Sequence, residues 1–291
     1  MSNPSENGPK PLARTEITRD DGLTGEELAR LAEVLLEGTG IVLRGDKQLL
    51  AETRLRQRAR KLGLPSLRDY CDLVWSGNAD GDEHEHLIDA LTTHKTSFFR
   101  EAHHFEYLAA EVLPAIGRRP ITAWCAGCST GEEAWTLAMV LADHRDRVGF
   151  PDFQVLATDV SADSLRHAAT AIYEEAAVAA IDDKLRRKYL LRSRNRGRKL
   201  IKIGPELREK VSFTRANLVA ASPEILPSAE FVFCRNVMIY FDRPTQHLLL
   251  TRLVQALAPG GYLFLGHAEA ILGQAWPLTP VGPTTYRKHM A

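Results

Sequence analysis

The sequence has little that would place it in a membrane or in an oxidising compartment. Its longest apolar runs, such as 262–265 and 237–241, are far shorter than the roughly 20 residues that a membrane-spanning helix needs. The first residues, MSNPSENGPKPLAR, lack the apolar core of a secretory signal, so we expect a disordered leader over 1–20 and a cytoplasmic protein. Four cysteines in 291 residues are too few for a disulfide framework, and we expect reduced thiols.

The chain also lacks an excess of charge of either sign. Its 37 Lys and Arg balance its 37 Asp and Glu, so no field of the whole molecule would attract a nucleic acid or a membrane surface. We therefore expect no nucleic-acid partner and no direct membrane insertion, and any charged docking surface must be local. The length favours two domains of ordinary size.

The first third of the chain carries the signals of helices. Thr24 and Glu27 form a capping box ahead of leucines at helical spacing, and Gly38 is placed to end that helix. Asp46, Ser66 and Asp82 are placed to begin three more helices, and the helical pattern continues through 96–116. These signals predict an all-helical N-terminal domain over 21–92 and a linker helix over 93–118 that lines the cofactor site.

After Pro120 the hydrophobic period changes to that of alternating strands and helices. The predicted strands are 121–125, 153–157, 230–234 and 261–265, and the predicted helices are 131–144, 162–170 and 244–257. This alternation predicts an α/β domain over 119–291 with a doubly wound, Rossmann-like parallel sheet that binds ligands at the carboxyl ends of its strands. Segment 188–203 predicts a hairpin turning near 195–197, within a small antiparallel insertion at about 182–214.

The stretch ITAWCAGCSTGEEAW, at 121–135, fits three kinds of site. As G-x-S-x-G it would be a hydrolase elbow with Asp159 and His267 as later partners, but such an elbow follows several strands and here everything upstream is helical. As C-x-x-C it would need a second ligand pair to bind structural zinc, and the sequence has none, so we predict no metal. As a small-residue turn before a helix it would let a ligand approach the backbone amides.

The position of Asp159 favours the third kind of site. It ends the next predicted strand, 28 residues after Gly131, where a carboxylate can accept hydrogen bonds from a ribose diol. The turn lacks a complete G-x-G-x-x-G, which disfavours a ligand with a pyrophosphate. S-adenosylmethionine has a ribose and no phosphate, so it suits this turn better.

The chain also carries, in order, LTTHKTSFFREAHHF, GCSTGEEAWTLAM, ATDVSADSLRHA, IY at 172–173, RANL at 215–218, FCRNVMIYFDRPTQ and GGYLFLGHAE. From Gly25 to Lys288 these motifs resemble the chemotaxis receptor methyltransferases of the CheR family, and RNVMIYF is highly specific. The resemblance implies an enzyme that transfers a methyl group from S-adenosylmethionine to glutamate side chains on the cytoplasmic helices of chemoreceptors, leaving S-adenosylhomocysteine.

The resemblance also implies roles for individual residues. Arg100 and Tyr240 fall where the family lines the methyl-transfer site, Asp159 where it holds the ribose, and Glu133 nearest the methionine end. The residues that fall at cofactor-binding positions are His94, Thr96, Arg100, Glu133, Asp159, Asn217, Leu218, Arg235 and Asn236. The family often has Asn in place of His94, and an imidazole replaces only part of the hydrogen bonding of an amide.

The chemistry of the acceptor is consistent with this function. A glutamate carboxylate is already an anion at neutral pH, so the enzyme needs no general base and has only to position it. Methyltransferases that act on planar amino nitrogens carry an N-P-P-Y-like turn where this chain has Cys234, Arg235 and Asn236. This difference disfavours methylation of a nitrogen atom. Two alternatives stay open: a signalling module that binds S-adenosylmethionine without turnover and, with less support, an α/β serine hydrolase.

Two segments are locally basic. Segment 47–61 carries Lys47, Arg54, Arg56, Arg58, Arg60 and Lys61, opposed by Glu52 alone. It is either the solvated face of a helix or a docking surface for the acidic helices of a chemoreceptor. Hairpin 188–203 contains the second basic cluster, RSRNRGRK, and in the family the corresponding subdomain can bind a tether peptide at the receptor C-terminus.

Overall fold

A computed structural model of the chain describes residues 22–43, 48–76, 83–117, 119–149, 152–195, 197–220, 228–271 and 276–290. The N-terminal part consists of the helices α1 (Gly25–Thr39), α2 (Gln48–Lys61), α3 (Leu67–Trp75) and α4 (Glu83–Leu91). They pack around buried side chains that include Leu31, Leu35, Leu55, Tyr70 and Leu87. The all-helical N-terminal region is therefore confirmed. No helix in the described part of the chain has both the length and the hydrophobicity that a membrane crossing requires.

The capping box of α1 is confirmed, but the predicted end of this helix is wrong. The Thr24 hydroxyl accepts a hydrogen bond from the Glu27 amide, and the Glu27 carboxylate accepts one from the Thr24 amide. The helix continues past Gly38 and is capped by Gly40, whose φ of 78° is left-handed and favours glycine. Ser66 caps α3 as expected. The leader, Asp46 and Asp82 lie outside the described residues.

The linker is helical only in its second half. A short α5 (His103–Tyr107) runs through one π-helical turn (Leu108–Val112) into α6 (Leu113–Ile116). The prediction of a helix from residue 96 is wrong, because Phe99 and Glu101 each have a φ of 52° and a left-handed residue cannot continue a right-handed helix. Residues 93–102 form an irregular segment that carries Arg100 between these two residues.

In chain order the remaining elements are β1 (Ile121–Ala126), α7 (Glu132–Val148), β2 (Phe153–Asp159), α8 (Ala162–Thr170), β3 (Ile172–Glu174), α9 (Asp183–Tyr189), β4 (Leu190–Arg192), β5 (Leu200–Ile203), α10 (Pro205–Arg208), β6 (Val211–Arg215), β7 (Ala229–Cys234), a 3-10 turn (Met238–Tyr240), α11 (Arg243–Ala256), β8 (Leu257–Leu265), β9 (Leu278–Gly282) and β10 (Thr285–Lys288). The large sheet has the order β6-β2-β1-β7-β8-β10-β9. Its first five strands are parallel, and β9 and β10 add an antiparallel edge.

The sheet confirms the predicted Rossmann-like α/β class. The four predicted strands correspond to β1, β2, β7 and β8, and the three predicted helices to α7, α8 and α11. Alternate residues of β1 enter two different cores: Ala123 and Cys125 pack on one face of the sheet, Trp124 and Ala126 on the other. This double burial is what made β1 a continuous apolar run in the sequence.

The predicted hairpin is present as β4 and β5, paired antiparallel from Leu190 opposite Ile203 to Arg192 opposite Ile201. The sequence did not reveal β3, which pairs with the other side of β5 and completes a small sheet of order β3-β5-β4. In chain order, the small sheet is inserted between α8 and β6.

Candidate functional site

A single cleft at the carboxyl ends of β1, β2 and β7 contains the predicted site residues. The cavity has a volume of about 240 Å³. The residues predicted from the sequence that line it are His94, Thr96, Arg100, Glu133, Asp159, Asn217, Leu218, Arg235, Asn236 and Tyr240. The structure thus brings every one of them to the same cavity. Their individual roles toward a ligand stay predictions.

The turn after β1 forms one wall of the cavity, and it requires small residues. Gly127 and Gly131 have φ values of 82° and 95°, and Ser129 has a φ of 51°. A Cβ atom on Gly127 would lie 2.5 Å from Cγ2 of Val237, so only glycine fits there. The Ser129 hydroxyl donates to the main-chain carbonyl of His94 at 2.9 Å. A hydrolase would need that hydroxyl on an imidazole, and no such contact is present among the described residues.

Asp159 faces this turn from the end of β2. Its Oδ2 accepts a hydrogen bond from the Ser129 amide at 2.7 Å, and its Oδ1 accepts one from the Ser161 amide at 2.9 Å. The two amides fix the orientation of the carboxylate. Each oxygen retains a second lone pair, with which the side chain can accept a hydrogen bond from a ligand hydroxyl.

A buried ion pair joins α7 to the end of β7. Nε of Arg235 lies 3.1 Å from Oε2 of Glu133, and Oε1 of Glu133 accepts a hydrogen bond from the Cys125 thiol at 3.2 Å. Arg235 also donates from Nη2 to the carbonyl oxygen of Arg100, and its guanidinium lies over the ring of Phe105, 5.3 Å from the centroid. Its Nη1 is buried without a hydrogen-bond partner among the described residues. The Arg235 side chain is 0% exposed, so it acts from behind the cavity surface by holding Glu133 and the Arg100 main chain.

Arg100 and Tyr240 both line the cavity. Arg100 is half-buried on the irregular linker segment and donates from Nη1 to the carbonyl of Lys95 at 2.9 Å. Tyr240 is also half-buried, at the end of the 3-10 turn, and its carbonyl accepts a hydrogen bond from the Val42 amide at 3.2 Å. The N-terminal region therefore contacts the main chain of a predicted catalytic residue, which the sequence did not indicate.

Glu269 is a buried carboxylate that holds the turn after β7, a role that sequence reasoning missed. It is 5% exposed, and its carboxylate accepts hydrogen bonds from the amides of Asn236 and Gly266, both at 2.7 Å, and from that of Ile239 at 3.3 Å. Burial raises the pKa of Glu269 despite these amides. Glu269 thus clamps the turn after β7, in which Asn236 has a φ of 60°. The motif GGYLFLGHAE contained this glutamate, but nothing local indicated its partners.

His94 and Asn217 use their polar atoms within the protein. Nε2 of His94 lies 2.8 Å from the Thr92 hydroxyl, and Nδ1 lies 3.0 Å from the Ser164 hydroxyl. The amide of Asn217 donates to the carbonyl of Gly38 at 2.9 Å and accepts from the Val219 amide. Both side chains tie neighbouring segments together, so a polar contact of either with a cofactor would have to share these atoms.

The thiols of the C-x-x-C pair are unsuited to nucleophilic or redox chemistry. None of the four cysteines, all within the described residues, forms a disulfide, as predicted. Burial raises the pKa of Cys125 and of Cys128, and the nearby carboxylates of Glu133 and Asp159 raise them further. The reactive thiolate form is therefore disfavoured, and both residues act as small core side chains.

The cavity has features that fit S-adenosylmethionine. The turn after β1 lets a ligand approach the backbone, and Asp159 presents acceptor atoms suited to ribose hydroxyls. No phosphate-binding G-x-G-x-x-G is needed for such a ligand.

Comparison with known families covers almost the whole described chain. Residues 26–92 match the all-alpha domain of CheR methyltransferases, and residues 94–286 match their S-adenosylmethionine-binding domain. A probable chemotaxis protein methyltransferase of Rhizobium etli is 34% identical over 260 residues, covering 87% of this chain and 96% of that protein. The chemotaxis protein methyltransferase of Klebsiella aerogenes is 37% identical, covering 85% of this chain and 84% of its own. That of Escherichia coli is 34% identical and covers 93% of each.

Proposed function

Because this chain belongs to the CheR methyltransferase family, we propose that it transfers a methyl group from S-adenosylmethionine to glutamate side chains of chemoreceptors. The products are glutamate methyl esters and S-adenosylhomocysteine. Binding of S-adenosylmethionine and a part in chemotaxis follow from the family itself. The glutamate oxygen as acceptor, the roles of single residues and a cytoplasmic location are parts of the proposal.

The proposal rests mainly on one observation: residues suited to bind a methyl donor and residues suited to bind an acceptor line one cavity. Asp159 and the turn after β1 offer the contacts that a methyl donor needs. Arg100 and Tyr240, which we assign to the acceptor, line the same cavity. A module that only bound the methyl donor would not need the acceptor residues Arg100 and Tyr240.

On the donor side, three groups have separate tasks. We assign Asp159 to the ribose hydroxyls, Glu133 to the methionine end, and the buried Arg235 to holding Glu133 through their ion pair. When bound, S-adenosylmethionine supplies the sulfonium methyl group. The ion pair between Glu133 and Arg235 keeps both side chains in place before any ligand enters.

On the acceptor side, the reaction needs orientation rather than proton transfer. The carboxylate of a receptor glutamate is an anion at neutral pH and can displace the methyl group from sulfur directly. A guanidinium can orient such a carboxylate through paired hydrogen bonds, and we assign this task to Arg100. We assign Tyr240, which lines the same cavity, to the acceptor as well. Holding the reacting atoms about 3 to 3.5 Å apart in a site with little water can supply several kcal/mol.

Some basic side chains of helix α2 are paired within the protein, and others are exposed to solvent. Arg58 makes two hydrogen bonds to the Glu83 carboxylate, at 2.9 and 2.6 Å, and Arg54 donates to the carbonyl of Thr92. These two arginines hold the N-terminal helices together. Arg60 and Lys61 are exposed, so we propose that this end of α2 meets the acidic surface of a receptor helix bundle.

The small sheet offers a second receptor contact. Its strand β4 lies at an edge, where an extended peptide can add as a further strand. A groove beside this strand, with a volume of about 450 Å³, has Val178, Leu190 and Ile201 in its lining together with arginines. The basic residues in the lining are Arg186, Arg187 and Arg192. We propose that a receptor tether peptide with an acidic C-terminus binds here.

Transfer of a labelled methyl group to chemoreceptor-containing membranes tests the proposal. We expect the label to enter receptor protein and to leave as methanol on mild alkaline treatment, since esters hydrolyse and methylated amines do not. Arg100→Ala removes the guanidinium that we expect to orient the receptor glutamate, so this variant should transfer less label. If the protein binds S-adenosylhomocysteine but transfers no label to any receptor, the non-catalytic module is the correct function.

A further inference from the structure

Tyr173 contacts the cofactor turn from outside the cavity. It lies in β3 of the small sheet, opposite Ile201 of β5, and is 4% exposed. Its hydroxyl donates a hydrogen bond to the main-chain carbonyl of Thr130 at 2.7 Å. This contact joins the small sheet to the turn after β1, across 43 residues of sequence.

The turn that Tyr173 contacts is held in an unfavourable backbone conformation. Ser129 and Gly131, on either side of Thr130, have left-handed φ values of 51° and 95°. For a serine this conformation persists only when the surroundings enforce it. A Cβ atom on Gly131 would lie 3.0 Å from the Tyr173 hydroxyl oxygen and 2.7 Å from Cβ of Ala168, so the phenol packs directly against the turn.

The phenol itself is held firmly and keeps its proton. The ring of Phe98 packs edge-on against it, with centroids 5.0 Å apart and planes at 82°. Phe98 is buried on the linker, two residues before Arg100. Burial raises the pKa of Tyr173 above its ordinary value, so the hydroxyl stays a hydrogen-bond donor throughout the range of an enzyme assay.

We propose that Tyr173 is a positioning residue for the methyl donor. By fixing the Thr130 carbonyl, it holds the Ser129 amide on the Asp159 carboxylate and so shapes the wall against which the donor binds. This inference rests on the proposed site. It assigns to the small sheet a part in donor binding, in addition to any contact with a receptor.

The test replaces one oxygen atom and has a matched control. Tyr173→Phe removes the hydroxyl and keeps the ring. Tyr189→Phe does the same to a tyrosine that is 1% exposed and donates to Oδ2 of Asp146 at 3.1 Å, outside the cavity. Titration calorimetry measures the Kd for S-adenosylhomocysteine, and kinetics at saturating receptor give KM for S-adenosylmethionine and kcat. Hydrogen exchange over 127–131 reports on the turn without ligand.

We expect Tyr173→Phe to raise the Kd and KM about three- to tenfold, the usual effect of one lost hydrogen bond, and to leave kcat nearly unchanged. Exchange over 127–131 should become faster, and Tyr189→Phe should behave as wild type. An unchanged Kd and unchanged hydrogen exchange in Tyr173→Phe would overturn the proposal for Tyr173 and leave the proposed function standing. So would failure of Tyr173→Phe to fold, or an equal loss in both variants, since either result assigns the residue to stability. If the wild-type protein bound no S-adenosylhomocysteine, the proposed site would fail as well.

Discussion

Replacing Asp159 by alanine tests the donor side of the cavity. The change removes the acceptor of the Ser129 and Ser161 amides and the proposed acceptor of the ribose hydroxyls. Hydrogen bonds to a charged group contribute about 1.5 to 3 kcal/mol, so the Kd for S-adenosylhomocysteine should rise roughly 10- to 150-fold. Stability without ligand should fall as well, because two main-chain amides lose their partner.

Calorimetry separates these two effects. The Kd is measured well below the melting temperature of the variant, so that the folded fraction is the same as in wild type. Asp182→Ala is the control, since Asp182 accepts a hydrogen bond from the Lys184 amide at 2.8 Å and caps α9 outside the cavity. We expect Asp182→Ala to keep wild-type affinity for S-adenosylhomocysteine.

Only one pattern of results supports the assignment of Asp159. If Asp159→Ala lowers the melting temperature and leaves the Kd unchanged, the carboxylate is a structural acceptor for the turn and the ribose assignment is wrong. If both aspartate variants weaken binding equally, the loss reflects general destabilisation. A large loss in Asp159→Ala alone is the expected result.

Three further predictions concern other parts of the molecule. Replacing both Arg60 and Lys61 by Glu should lower receptor methylation at low salt and leave the Kd for S-adenosylhomocysteine unchanged. The activity of this variant should also depend less on salt than that of wild type. Equal salt dependence would show that this end of α2 is a solvated surface without a docking role. Burial, and then the nearby Arg235, lower the pKa of His104 in the folded protein to about 4. As the pH falls from about 6.5 toward 4, the unfolded chain therefore binds a proton at His104 that the folded protein does not bind, and the free energy of unfolding measured with urea should decrease. This decrease should be smaller in His104→Gln. Cys125→Ala and Ser129→Ala should each retain most methyl transfer. Complete loss with Ser129→Ala would show that its hydroxyl is required at the methyl-transfer site and would contradict this prediction.

The sequence was sufficient to predict the position of Asp159 in the cavity. A mostly apolar strand sequence, FQVLAT, ended at this residue, and parallel strands present their carboxyl ends at the same edge of a sheet. Arg235 and Asn236 after β7 were instead predicted from the resemblance to the CheR family. The prediction for Asp159 succeeded because the strand is visible in the sequence and because the sheet then determines where its end lies.

Contacts between distant residues could not be predicted in this way. The segment around Phe99 and Glu101 has local preferences that suit a helix, but Arg235 binds the Arg100 carbonyl from 135 residues away, and the segment is irregular. Likewise the charge of Arg58 is used by Glu83, 25 residues away, rather than by a partner protein. Local patterns report which elements form, whereas tertiary contacts decide which side chains remain available.

The linkage of the transferred methyl group tests the central claim most directly. After incubation of the protein with methyl-labelled S-adenosylmethionine and a chemoreceptor, tandem mass spectrometry of receptor peptides locates the label. The proposed chemistry predicts the added methyl group on glutamate side chains, as an ester that mild alkali removes, and predicts its loss in Arg100→Ala. Label on a nitrogen atom, or label that survives alkali, would contradict the account.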